Sequence, residues 1–151
     1  MRIWFRSFTL DELNQQSRGC MVGLLDIRFT EIGPDYIRAT MPVDARTWQP
    51  FGLLHGGASV TLAETLGSVA ANCCVDANRF FCVGQEINAN HLRAVRSGRV
   101  TGTARPIHVG NRSHVWEIRV EDEKQRLICI SRLTMSVVEG ATPPIVGGAP
   151  S

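Results

Sequence analysis

No run of lysine or arginine occurs anywhere in the 151 residues, and the formal net charge is only +2. A nucleic-acid binder shows itself by a basic cluster or stripe, so nucleic acid is not an expected partner, whereas a phosphorylated small molecule fits so mild a surplus. A disulfide framework is missing too. Cys20, Cys73, Cys74, Cys82 and Cys129 make an odd number without framework spacing, which points to buried thiols in a reducing, cytoplasmic setting. Arg2 and Arg6 interrupt the N-terminus too early for a signal-peptide core, and the one long apolar stretch carries Glu64 and Asn72, so no membrane partner is expected. The four histidines lack metal-ligand spacing, which excludes a zinc site from the expectations. No Gly-Lys-Ser/Thr follows the paired glycines, no Gly-x-Ser-x-Gly elbow exists, and no internal repeat is evident.

What is present suits one globular domain, since 44% of the residues are hydrophobic and 20% charged. The domain is expected over 1–138, with 139–151 a disordered tail marked by Pro143-Pro144 and Gly147-Gly148. Thr9-Leu10-Asp11-Glu12 reads as a capping box opening a short helix to about Ser17. Val22 to Ile32 reads as strand, Gly33-Pro34-Asp35 as a turn, and Tyr36 to Val43 as the partner strand. A loop from Asp44 to Leu54 precedes a long helix with Leu62, Leu66, Val69 and Cys73 on one side. Four further strands follow: Phe80 to about Asn90, Arg99 to Ile107, one around Trp116, Ile118 and Val120, and Leu127 to Val138. His108 to Arg112 and Asp122 to Gln125 read as turns. Strands joined mostly by short turns predict an antiparallel sheet packed on the helix, an α+β domain.

Glu64 is the only charged residue between Gly56 and Val75. A carboxylate in an apolar helix is costly to ionise unless partnered, so it is either a paired anchor or a group whose pKa is being tuned. Gly56 and Gly57 leave first-turn N–H groups uncovered at the positive end of the helix dipole, which suits a developing oxyanion; the alternative is that they only permit tight packing. Eight residues separate Gly56 from Glu64, roughly 12 Å at helical rise, too far for both to reach one carbonyl. If the two cooperate, an antiparallel copy of the helix must supply one of them, as a two-fold dimer does.

Gln49-Pro50-Phe51-Gly52-Leu53-Leu54-His55-Gly56-Gly57-Ala58-Ser59, with Ala63-Glu64 and Gly67-Ser68-Val69-Ala70 downstream, closely resembles the hotdog-fold acyl-CoA thioesterases, in the branch acting on aromatic acyl-CoA esters. Met41-Pro42-Val43-Asp44, Glu86 to His91 and Asp122-Glu123-Lys124 are similar to the subfamilies serving menaquinone synthesis, which hydrolyse 1,4-dihydroxy-2-naphthoyl-CoA, and proofreading enterobactin synthesis. The resemblance implies a sheet wrapped round one long helix and a homodimer with shared sites, paired into a homotetramer. It implies an acyl-CoA substrate or an aryl group on an acyl carrier protein, with no cofactor, CoA being part of the substrate. It places Glu64 as nucleophile or general base, the Gly56 amide at the thioester carbonyl, Gln49 and His55 as orienting groups, and Ser68 near the attacking water. CoA-contacting positions fall on Gly57, Gly84, His91, Leu92, Arg93 and Ala94, and on His108, Val109, Gly110, Asn111, Arg112 and Ser113.

The residues also allow plainer readings. Ser68 can bond a carbonyl one turn back, His91 and His108 can be surface residues, as His114 is expected to be, and Arg96, Arg99 and Arg105 can be solvated charges. A non-catalytic acyl-CoA binder on the same fold is the competing class. A hydratase is disfavoured because no Asp-x4-His follows the loop.

Overall fold

The computed structural model describes residues 1–146; the remainder of the expected tail lies outside the described residues. α1 (Leu10–Gln15) begins with the capping box read from the sequence: Thr9 Oγ1 accepts from Glu12 N at 3.1 Å and the Glu12 carboxylate accepts from Thr9 N at 2.7 Å. The strand expected from Val22 is not there. Its first part is one turn of helix, α2 (Met21–Leu24), and β1 (Arg28–Ile32) starts only afterwards. Asp26 stands between them at φ 53°, a left-handed conformation that Asp tolerates and that a strand does not pass through.

β1 forms the expected hairpin with β2 (Ile37–Pro42), and the long apolar run folds as α3 (Gly56–Cys73). β3 (Phe80–His91), β4 (Arg99–Val109), β5 (Ser113–Glu121) and β6 (Leu127–Glu139) complete one antiparallel sheet in the order β1-β2-β4-β5-β6-β3. This is the expected α+β hotdog arrangement. His108 and Val109 belong to β4, not to the turn. Pro106 is tolerated there because β2 pairs with β4 only as far as Ala104, so beyond it the proline lies on an edge and withholds no ladder donor.

α3 packs Leu62, Ala63, Leu66, Gly67 and Ala70 against alternate residues of the sheet, among them Met41, Ala104, Trp116, Ile118 and Leu133, all buried. Period 3.6 on the helix meets period 2 on the strands, and each large side chain removed from water stabilises by about 1.5–3 kcal/mol. Gly67 permits the close approach: a Cβ there would lie 2.5 Å from Leu133 Cδ2. Val69, expected on the buried side, is only half-buried and flanks the core. Trp4 stacks on Trp116 with ring centroids 6.5 Å apart and donates to Gly33 O at 2.7 Å.

All five cysteines are free, and burial pushes the Cys73 and Cys74 thiols up to about 12 and Cys82 to about 11, so these stay protonated and unreactive. Among the described residues, no helix is long and apolar enough to cross a membrane. β3 ends the sheet: it bonds to β6 on one side, and Val83 to Glu86 are exposed.

Candidate active site

The loop before α3 is built to present its first turn. Thr47 Oγ1 donates to Pro42 O at 2.8 Å, Trp48 bridges to Leu54, and Trp48 Nε1 donates to Arg96 O at 3.1 Å. Gln49 Oε1 accepts from Phe51 N at 2.5 Å and Leu53 N at 3.4 Å, which fixes the turn and orients the amide. His55 is the N-cap, its Nδ1 accepting from Gly57 N at 2.7 Å. Gly57 is therefore already capped, contrary to the expectation that both amides stay uncovered. The Gly56 N–H has no partner among the described residues and is the donor left for a ligand. His91 lies over it, so that a Cβ on Gly56 would fall 2.9 Å from His91 Nε2. Gln49, Gly56, Ser59, His91 and Arg93 line a depression of about 450 Å³ at this end of the helix.

Two turns on, Glu64 is half-buried and has no ion pair among the described residues, so no cation anchors it within the chain. Burial pushes its carboxyl above the ordinary range, and the Ser68 hydroxyl one turn away partly opposes the rise. That hold is loose, because the contact Ser68 Oγ makes is to Met135 Sδ at 3.8 Å. Thr61 and Thr65 do bond carbonyls one turn back, at 2.9 and 2.7 Å, and Ser68 does not. Opposite Glu64 is Gly84, where a Cβ would lie 2.5 Å from Glu64 Oε1. A bulge between Gly84 and Glu86 leaves Gln85 out of the ladder at the same point.

β3 runs back along α3, so that three contacts measure the helix: Asn72 bonds the backbone of Cys82, Glu64 meets Gly84, and Gly56 meets His91. Gly56 and Glu64 stay roughly 12 Å apart along it and do not meet in one chain. The two segments expected to contact CoA are separated as well. His91, Leu92, Arg93 and Ala94 are exposed near the start of α3, while Val109, Gly110 and Asn111 line a cavity with Cys74 and Val75 at its end. Gly110 N donates to Ser113 O at 3.0 Å and Val137 N to Arg112 O at 2.9 Å, closing that turn beside exposed His108. Arg93 and Arg112 are exposed and carry no ion pair among the described residues. Arg99 and Arg105 are committed to Asp26 and Asp35, at 3.1 and 3.0 Å, whereas Arg96 has no ion pair among the described residues.

His114 is a correction. It is 1% exposed, and neither its Nδ1 nor Trp116 Nε1 has a hydrogen-bond partner among the described residues. Burial lowers its pKa and keeps it neutral. Its place in the alternation with Trp116, Ile118 and Val120 was the signal. A second omission is an apolar cavity of about 530 Å³ past Ser68, to which Phe5, Phe8 and Val69 contribute; the N-terminal aromatics carry no motif that announces it.

Comparison with known proteins identifies the family and the fold. A family model described as the thioesterase superfamily matches residues 51–129. The 1,4-dihydroxy-2-naphthoyl-CoA hydrolase of Escherichia coli is 57% identical over 136 residues, covering 90% of this chain and 99% of its own. The proofreading thioesterase EntH of Cronobacter turicensis is 51% identical, covering 90% and 98%. A crystal structure of a Pseudomonas aeruginosa thioesterase superposes with a TM-score of 0.90 at 52% identity, covering 91% of this chain and 99% of that one. With a family model matched over more than half of its length and relatives this similar over nearly their own whole length, the chain belongs to the thioesterase superfamily.

Proposed function

We propose that the protein hydrolyses the thioester of an aromatic acyl-CoA, of the 1,4-dihydroxy-2-naphthoyl or hydroxybenzoyl type, to the free acid and CoA. The observation that carries the reading is Glu64: a half-buried carboxylate with a raised pKa, no ion-pair partner among the described residues, and bare glycine backbone opposite it. As a general base it takes a proton from water while the water oxygen bonds the carbonyl carbon; the C–S bond breaks and CoA leaves as its thiol. As a nucleophile its oxygen bonds that carbon, CoA leaves, and water cleaves the resulting anhydride. Either route places negative charge on the carbonyl oxygen, where the unpaired Gly56 N–H donates. Gln49 and His55 hold the entrance loop, and Ser68 stands where a hydroxyl can bond the water. Water is the only co-substrate the scheme needs, and no cofactor enters it.

One carbonyl cannot touch both Gly56 and Glu64 of the same helix, so the site is completed by a second copy. The free edge of β3, twelve residues long and close to Glu64, supports a homodimer formed there. Such pairing also brings 91–94 of one chain toward 108–113 of the other, with Arg93 and Arg112 on the CoA phosphates. A dimer of dimers in the cytoplasm is the assembly and setting we assign. A relative named a proofreading thioesterase fits a second reading, which rests on the resemblance of the sequence and in which the aryl group arrives on a carrier protein.

Hydrolysis of dihydroxynaphthoyl-CoA and benzoyl-CoA, followed by release of the CoA thiol, tests the proposal. Glu64→Gln should lower kcat by about 10³-fold or more while the chain stays folded. A variant within tenfold of the parent would show that Glu64 is not the catalytic group and would favour a binding role.

A further inference from the structure

The apolar cavity past Glu64 begins at Ser68 and Val69 on α3, with Val83, the neighbour of Gly84, across from them. Ser68 lies about one helical turn, roughly 6 Å, beyond the carboxylate. An acyl group whose carbonyl sits at Glu64 and whose body points along the helix therefore enters this space. Its far wall comes from neither α3 nor β3. It is shared between the N-terminal segment, with Phe5, Phe8 and Leu13, and the segment after β6, with Thr142, Pro143 and Ile145.

That segment is fastened. Gly140 N donates to Arg79 O at 2.8 Å, Thr142 N to Ala77 O at 2.8 Å, and Thr142 Oγ1 to Phe80 O at 3.3 Å. Gly140 turns the chain across at φ 134°, where side chains rarely follow, and Pro143-Pro144 stiffen what comes next. All three anchoring carbonyls come after the end of α3, which lies nine residues and about 13 Å past Glu64. Ile145 lines the cavity yet is 48% exposed, so it offers apolar surface that nothing among the described residues covers. A ligand's apolar end would cover it.

On the thioesterase reading above, we infer that residues 140–145 are the end wall of the acyl pocket and set the longest acyl group the enzyme accepts. Aryl and short acyl groups fit in front of the wall, and extended aliphatic chains run into it. Because the wall stands beyond the helix end, removing it leaves the carboxylate and the Gly56 amide in place.

The test compares kcat/KM for benzoyl-, butanoyl- and dodecanoyl-CoA in the full chain, a chain ending at Glu139, and Ile145→Trp, with folding checked by circular dichroism and sizing. Truncation should raise the dodecanoyl-to-benzoyl ratio about tenfold or more, since each methylene gained in a pocket counts, with benzoyl-CoA turnover within about threefold. Ile145→Trp should lower the same ratio and spare butanoyl-CoA. If the truncated chain fails to fold, the Ile145 variant decides alone. Activity with a ratio unmoved within about twofold overturns the wall and leaves the thioesterase reading standing. A full chain that hydrolyses neither these three esters nor dihydroxynaphthoyl-CoA overturns the acyl-CoA reading, and the wall falls with it.

Discussion

Glu64 is charged chemistry held in poor solvent, and the pH dependence of the reaction should report it. If the ionised form acts, kcat/KM falls on the acid side through a pKa above the ordinary 4.5. The Ser68 hydroxyl works against that rise, so Ser68→Ala should move the acid limb to still higher pH; a limb that stays put or moves down would show that Ser68 does not touch the carboxylate's ionisation. Arg93→Ala and Arg112→Ala belong to the other end of the substrate. Each should raise KM for benzoyl-CoA roughly 3–10-fold with kcat nearly unchanged, because a phosphate contact remote from the carbonyl is alike in ground and transition states. The effect should shrink at high salt. Unchanged KM in both variants at low salt would put the nucleotide elsewhere. At this scale the sequence disclosed the isolated carboxylate, since nothing charged surrounds it for many residues. It did not disclose that His55 would claim the Gly57 amide, or that His114 would be buried, because a histidine's environment depends on which strand face its neighbours occupy.

Secondary elements with one dominant pattern were legible, and those governed by a single backbone angle were not. α3 followed from its apolar spacing and β5 from strict alternation, while α2 hid inside a run that also suits a strand until Asp26 turns left-handed. The clamp between α3 and β3 was equally silent, since it rests on one amide. Asn72 Oδ1 accepts from Cys82 N at 2.8 Å, and its Nδ2 donates to Cys82 O at 3.2 Å and Ser68 O at 2.9 Å. Asn72→Ala leaves the Cys82 N–H without that partner and should cost about 1–3 kcal/mol in urea unfolding, with an unchanged m-value. A loss below about 0.5 kcal/mol would mean that water replaces the amide freely.

For the molecule as a whole, the division of one site between two copies makes its own forecast. Chains inactivated by Glu64→Ala and chains inactivated by Gly56→Val, once mixed and exchanged, should yield hybrids with one doubly damaged and one intact site. Random reassortment makes about half the dimers hybrid, so activity should return to roughly a quarter of the parent's. Hybrids seen by mass spectrometry without recovered turnover would refute the shared site. The three tryptophans offer a way to watch such experiments. Trp4 and Trp116 are stacked in the interior, while Trp48 is 45% exposed on the loop that carries Gln49. In the native chain, iodide should quench Trp48 and spare the stacked pair. Light emitted at short wavelength then reports an intact interior, and light at the red edge reports whether the entrance is occupied, so unfolding and ligand capture can be read from one unlabelled sample.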